Sequence, residues 1–251
     1  MPSILILQNL TKYFGGLAAL RDVTIEVQQG EIVGLIGPNG AGKTTLFNLV
    51  TGFESATSGH ILFKGEDITG SAPHRIVNMG IARTFQMIRP FKRLSVLDNV
   101  ILSRLAPRAR KAGIGMRDVS KEALSVLTRV GLYSRAGVWA QTLAHGELRR
   151  LEIARALATN PEVLLLDEPF SGLSYTETRD VLALLRELHA EGETLVVIEH
   201  KLRDLMKLVE RVIVLHYGQV IAEGSPQEVA NNPVVIEAYM GTGVALSLIH
   251  I

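Results

Sequence analysis

Gly37, Pro38, Asn39, Gly40, Ala41, Gly42, Lys43 and Thr44 have the types and spacing of a phosphate cradle, G-x-x-x-x-G-K-[ST], and Thr45 adds a second hydroxyl. The glycines let backbone amides turn inward around phosphate oxygens without Cβ clashes. A helix beginning near Gly42 would aim the positive end of its dipole at the same oxygens. Lys43 can then reach the β and γ oxygens of a nucleoside triphosphate, and the Thr44 hydroxyl can ligate Mg²⁺. Such a site needs an acidic partner for the metal, and Val163-Leu-Leu-Leu-Asp167-Glu168 supplies one. Four apolar residues bury a strand, and Asp167 ends it at the edge where α/β sheets bind ligands. Asp167 would hold Mg²⁺ through water, and Glu168 would polarise an attacking water as general base. Alone, that acidic pair reads as a solvated strand end. Beside the phosphate loop it reads as part of an active site.

These residues need strands and helices to place them. Ile4 to Leu7, Val23 to Val27, Ile32 to Ile36 and Ile61 to Phe63 read as strands, with a turn at Gln28-Gln29-Gly30. A helical pattern runs from Thr44 to about Thr51. Between residues 87 and 160 helical periodicity dominates, at Lys121 to Val130 and Gly146 to Ala158. Gly113 to Gly115, preceded by Arg108, Arg110 and Lys111, reads as a loose connection. Strands return at Val163 to Leu166, Leu195 to Ile198 and Val212 to Leu215, with a helix over Glu177 to Ala190 between them. A short helical segment follows from Asn232-Pro233 through Tyr239. Alternating apolar strands and helices predict an α/β fold with a mostly parallel sheet covered on both faces. The helical middle is inserted into that core.

The 251 residues are 47% hydrophobic and 20% charged, which excludes a disordered or collagen-like chain. Twenty-six Lys and Arg oppose 25 Asp and Glu, a net charge of +1, so there is no basic footprint for nucleic acid. The absence of Cys excludes disulfides, thiolate zinc sites and a thiol nucleophile. No stretch reaches the roughly 18 apolar residues of a membrane span, and Met1 to Leu10 lacks signal-peptide character. A cytosolic chain is expected. Its mean hydropathy of +0.24 is a mild sign of a partner surface, and large buried strands account for it equally well. The ending Leu246 to Ile251 corresponds to translated sequencing-adapter DNA, so residues 244–251 are expected to be a non-native tail.

Taken together, these motifs resemble the nucleotide-binding subunit of ATP-binding-cassette (ABC) transporters, from about Leu5 to Gly241. The resemblance implies a P-loop NTPase (RecA-like) core over residues 1–86 and 161–225, with an antiparallel β part at the N-terminus. It implies an inserted helical subdomain over 87–160 and a C-terminal extension over 226–243, all in one domain of residues 1–243. It also assigns roles in chain order. Phe14, in preference to its neighbour Tyr13, resembles the aromatic that stacks on adenine. Gln86 in Arg83-Thr-Phe-Gln86 resembles the Q-loop glutamine, a metal ligand and catalytic residue. Leu143, Ala144, His145, Gly146 and Glu147 stand at the family signature, which contacts ATP on a partner subunit. Ser171-Gly-Leu-Ser174 resembles the D-loop, and His200 resembles the switch histidine. The implied magnesium residues are Thr44, Gln86 and Asp167, and the implied catalytic residues are Glu168, His200 and Gln86.

Two departures stand out. The usual signature is Leu-Ser-Gly-Gly-Gln, and here only Leu143 and Gly146 remain. Ala144 removes a hydroxyl, at a net cost of about 1 kcal/mol for one hydrogen bond. Ser174 replaces the D-loop aspartate and loses a charge. Weakened or retuned closure is expected, rather than its loss.

Within the family, the branched-chain amino acid uptake subgroup is closest. Gly80 to Gln86, Arg89-Pro-Phe91, Leu94 to Val100, Ile198-Glu-His200, Ile221 to Pro226 and Glu237 to Gly241 carry that likeness. It implies ATP and Mg²⁺ as ligands, and a second ATP-binding subunit, identical or a sister. It further implies membrane permease subunits, an extracytoplasmic solute-binding protein, no nucleic acid, and a peripheral place on the cytoplasmic face of the inner membrane. Urea-uptake and lipopolysaccharide-export ATPases share these motifs, and a non-transport ABC ATPase is a further alternative.

Overall fold

The computed structural model describes residues 2–109 and 115–240. The connection expected around residues 110–114, Gly241 and the expected tail at 244–251 lie outside the described residues. In chain order the elements are β1 (Ser3–Phe14), β2 (Leu17–Gln28), β3 (Ile32–Ile36), α1 (Lys43–Val50), β4 (Ser58–Phe63) and β5 (Glu66–Asp67). Next come α2 (Pro73–Met79), β6 (Ile81–Arg83), α3 (Val96–Arg104), α4 (Met116–Arg129), α5 (His145–Leu157), β7 (Val163–Asp167) and α6 (Tyr175–Ala190). The chain then runs through β8 (Thr194–Ile198), α7 (Leu202–Leu205), β9 (Arg211–His216), β10 (Gln219–Gly224), α8 (Pro226–Ala230) and α9 (Pro233–Tyr239). Two compact units emerge, one of residues 1–73 and 189–251, the other of residues 74–188.

The first unit holds two layers of strands. An antiparallel sheet runs in the order β2-β1-β4-β5, the antiparallel β part expected near the N-terminus. Beside it in sequence, β3 pairs parallel with β8 and with β9, and β10 closes on β9 antiparallel. All five residues of β3 and all five of β8 are buried, as apolar strands covered on both faces must be. The strands are longer than their apolar runs. β1 continues from Leu7 to Phe14 through a register shift at Asn9, whose φ is +46°. A β-bulge lets the strand absorb two polar residues that otherwise read as a turn. β10 was hidden for a related reason: it is an edge strand with no fully buried residue.

In the second unit β6 pairs parallel with β7. The five residues of β7 are buried, whereas β6 is three residues long, too short to show a period. Helix α5 supplies much of the core through Leu151, Ile153 and Ala154. α3 went unread because its sequence, VLDNVILSR, has almost no apolar stripe; the Ser95 hydroxyl, accepting from the Asp98 amide at 3.0 Å, starts it. Among the described residues no helix is long and apolar enough to cross a membrane.

Candidate active site

In the first unit, β3 delivers the chain to Gly37 and α1 receives it at Lys43. Gly37 has φ +153°, and a Cβ there would lie 2.1 Å from the Leu215 carbonyl oxygen. Gly42, the residue before α1, has φ +103°, and a Cβ there would lie 2.6 Å from the Ala19 oxygen. Only glycine fits either position. The Ala41 amide donates to Pro38 O at 3.2 Å, and the Gly218 amide donates to Ala41 O at 3.0 Å. Lys43 is buried, and its ammonium donates to Gly37 O at 2.6 Å and Pro38 O at 3.0 Å. Asn39 and Gly40 form the exposed crest, Thr44 is exposed and Thr45 half-buried. The loop is thus curved by the chain itself and ends at the N-terminus of α1, a place that suits a polyphosphate.

Also in this unit, His200 follows β8 and is exposed. The amides of His200 and Lys201 donate to Glu199 Oε2 at 2.9 and 3.2 Å. Glu199 is buried and fixes this turn. The sequence reading gave it no role, although an acid directly after an apolar strand was the available signal. Phe14 and Tyr13 are both exposed at the end of β1, and the Lys12 ammonium sits 4.7 Å from the Phe14 ring centre.

The second unit holds its residues by side chains. Asp167, at the end of β7, is 3% exposed, and Arg83 Nη2 donates to its Oδ2 at 2.7 Å. This buried ion pair was not foreseen, because 84 residues separate the partners. Glu168 has φ +49°, an uncommon left-handed conformation for a side chain of this size. Gln86 Nε2 donates to Glu168 Oε2 at 3.0 Å, so two of the three residues expected to be catalytic are in contact.

Gln86 is itself anchored from α5. The Phe85 amide donates to Glu152 Oε1 at 2.8 Å. Arg149 donates from Nη1 to Phe85 O at 3.1 Å and to Glu152 Oε2 at 2.8 Å, and from Nη2 to Gln86 O at 3.3 Å. Burial pushes the Glu152 carboxyl above the usual carboxylate range, although the Phe85 amide and Arg149 oppose it.

The altered signature residues have partners within this unit. Ala144 precedes α5 without a side-chain cap, but Glu147 accepts the Ala144 amide at 3.0 Å and Arg135 Nε at 2.7 Å. Burial pushes the Glu147 carboxyl up, but these contacts outweigh it and hold the carboxyl below its usual range. The Gly146 amide donates to Glu177 Oε1 at 3.1 Å, and His145 Nε2 lies 3.3 Å from Ser171 O. Leu143 is buried. Ser174 begins α6 with a capping box: its amide and hydroxyl donate to Glu177 Oε2 at 2.9 and 2.7 Å, and the Glu177 amide donates back to Ser174 Oγ at 3.3 Å. Both replacements therefore have local structural work.

Among the described residues no group of three His, Cys, Asp or Glu could form a protein-only metal cage. Mg²⁺ takes few protein ligands and completes its shell with phosphate and water; the Thr44 hydroxyl in the first unit, and the Gln86 amide and Asp167 carboxylate in the second, each offer the oxygen type that it takes.

Comparison with known proteins agrees with this chemistry. Residues 20–171 match the ABC transporter family, and residues 219–245 match the family described as branched-chain amino acid ATP-binding cassette transporter. The chain is similar to the high-affinity branched-chain amino acid transport ATP-binding protein LivG of Escherichia coli (strain K12). The two are 40% identical over 251 residues, 95% of this chain and 98% of LivG. Its fold is similar to the ADP conformation of MJ1267, an ATP-binding cassette of an ABC transporter. That TM-score is 0.88 at 34% identity, over 96% of this chain and 100% of the other. It is also similar to the dimeric cassette MJ0796, with a TM-score of 0.79 at 28% identity, over 88% of this chain and 98% of the other. A family match over more than half its length and a relative 40% identical over nearly all of it establish that this chain belongs to the ABC transporter family, among its ATP-binding, ATP-hydrolysing cassettes.

Proposed function

We propose that the chain is the ATPase subunit of a transporter that takes up branched-chain amino acids. The observation that carries the substrate class is the match of residues 219–245 to the branched-chain amino acid cassettes. The name of LivG supports the same class.

In this reading the amides of residues 37–45 and the Lys43 ammonium hold the ATP phosphates, and Phe14 stacks on the base. Thr44, Gln86 and Asp167 are the residues that would hold Mg²⁺. Bound there, the metal neutralises charge on the phosphoryl oxygens. Glu168 accepts the proton of the attacking water, and the Gln86 amide, donating to Glu168, orients that carboxylate. His200 contacts the γ-phosphate. Residues 143–147 close on ATP held by a second subunit, an arrangement supported by the dimeric form of MJ0796. Membrane permeases and an extracytoplasmic solute-binding protein complete the system, with this chain peripheral on the cytoplasmic face of the membrane.

The test is leucine uptake by cells that express the chain with branched-chain amino acid permeases and their solute-binding protein. Uptake of radiolabelled leucine is expected with the native chain and is expected to vanish with Lys43→Ala. Transport of a different solute, with no leucine uptake, would overturn the substrate class.

A further inference from the structure

We propose that Arg149 and Glu152 are positioning residues for Gln86. They fix the backbone at Phe85–Gln86 so that the Gln86 amide meets Glu168, and they tie that placement to the helix whose first turn carries the signature. The inference rests on the roles proposed above for Gln86 and Glu168.

The attachment has three points. One amide and two successive carbonyls of an irregular segment are taken up by a single Arg–Glu pair on α5. Arg149 is 1% exposed and Glu152 8%, so water has little access to the side chains that make these bonds. A buried ion pair is a poor source of stability, because desolvation consumes most of the attraction. Burial does push the Glu152 carboxyl up. Apolar residues of the same volume would serve α5 as well or better. What they could not do is bind main-chain polar groups on residues 85 and 86. The planar guanidinium spreads its donors over two consecutive carbonyls while also meeting Glu152, a geometry that one ammonium cannot reproduce.

The same helix is held at its start by bonds to the segment after β7. The Gly146 amide meets Glu177, and His145 meets Ser171. Through α5, therefore, residues 143–147 and Gln86 share one rigid support. Arg149 and Glu152 lie on its second turn, where any shift of the signature is passed to the backbone that aims Gln86.

The experiment compares Arg149→Lys, Arg149→Met, Glu152→Gln, Gln86→Ala and the double variant Arg149→Met with Gln86→Ala, all in the full chain. Each is measured for kcat, KM for ATP, equilibrium binding of a fluorescent ATP analogue, and amide exchange. Arg149→Met is expected to lower kcat about 10-fold or more with KM and affinity within about twofold, the signature of a misplaced group. Arg149→Lys should restore little. Exchange at residues 84–87 should rise while residues 150–157 stay protected. Adding Arg149→Met to Gln86→Ala should cost nothing further, since both remove one function. Additive losses, or unchanged exchange at 84–87, would overturn the proposal. If Arg149→Met fails to fold, Arg149→Lys in the same cycle with Gln86→Ala decides it by the same criteria. Full turnover in Gln86→Ala would instead remove the underlying role of Gln86. Loss of turnover in Gln86→Ala but not in the Arg149 variants would sink the positioning role alone.

Discussion

In the first unit the phosphate loop is shaped by main-chain atoms. Gly37 and Gly42 sit where a Cβ would strike a carbonyl, and Lys43 folds back onto the loop's own oxygens. In the second unit almost every candidate residue is held by a side chain from elsewhere: Asp167 by Arg83, Glu168 by Gln86, the Gln86 backbone by Arg149, the Gly146 amide by Glu177. The first arrangement is indifferent to most neighbouring side chains and fixes a ligand of constant shape. The second can be shifted when any one partner moves, which suits the closure on a second subunit proposed above.

Substitutions can break or sharpen this contrast. The largest effect is expected from Glu168→Gln, which still offers an oxygen to Gln86 but cannot take a proton. Turnover should fall by about 10²–10⁴-fold, and light scattering with Mg-ATP should show the mass double as the loaded dimer accumulates. Normal turnover would remove Glu168 from its role. Arg83→Met comes next. It leaves the Asp167 carboxylate buried without its cation and should cost about 3–5 kcal/mol, read from the denaturant midpoint. A loss below about 1 kcal/mol would mean that side-chain pairing does not hold the second unit's site. Lys43→Ala should lower nucleotide affinity at least ~100-fold, about 2.7 kcal/mol, by titration calorimetry. Its melting temperature should stay within a few degrees, because the glycines and amides shape the loop. A collapse of the fold would contradict the backbone account.

The smallest effect concerns acid. The Ser174 hydroxyl and the Ser174 and Gly146 amides hold Glu177 below the usual carboxylate range, and the Ala144 amide and Arg135 hold Glu147 there against burial. A carboxylate with a lowered folded pKa contributes stability above its unfolded value, near 4.3, and loses it as pH falls through the folded one. Below about pH 4, amide protection at residues 144–146 should therefore weaken while residues 37–42 keep theirs. Equal weakening in both segments would erase the distinction.

The same contrast explains what could be read from the sequence. The phosphate loop was legible because its pattern is local, six residues of which three are glycine, although the carbonyls that demand glycine at 37 and 42 belong to the distant Leu215 and Ala19. The buried strands β3, β7 and β8 were legible because each is a continuous apolar run. The positions proposed for the signature and for Gln86 rest on the order of motifs along the chain. Their partners were not legible. Arg83 meets Asp167 and Arg149 meets Phe85 across 84 and 64 residues, and no periodicity links such pairs. Glu147 and Ser174 looked like losses from the family pattern. Their local roles, as half a capping box and a full one, lay within three residues and could have been found from capping rules.

Glu168 holds one more consequence, for how the protein would respond to selection. Its left-handed backbone costs about 1–3 kcal/mol for a residue of this kind, and glycine or asparagine would relieve it. Relief would delete the carboxylate proposed to take the proton of the attacking water. A screen for heat resistance alone is expected to enrich replacements at this position, and a screen for growth on the transported solute to purge them. The residue marks a place where durability and work are traded against each other.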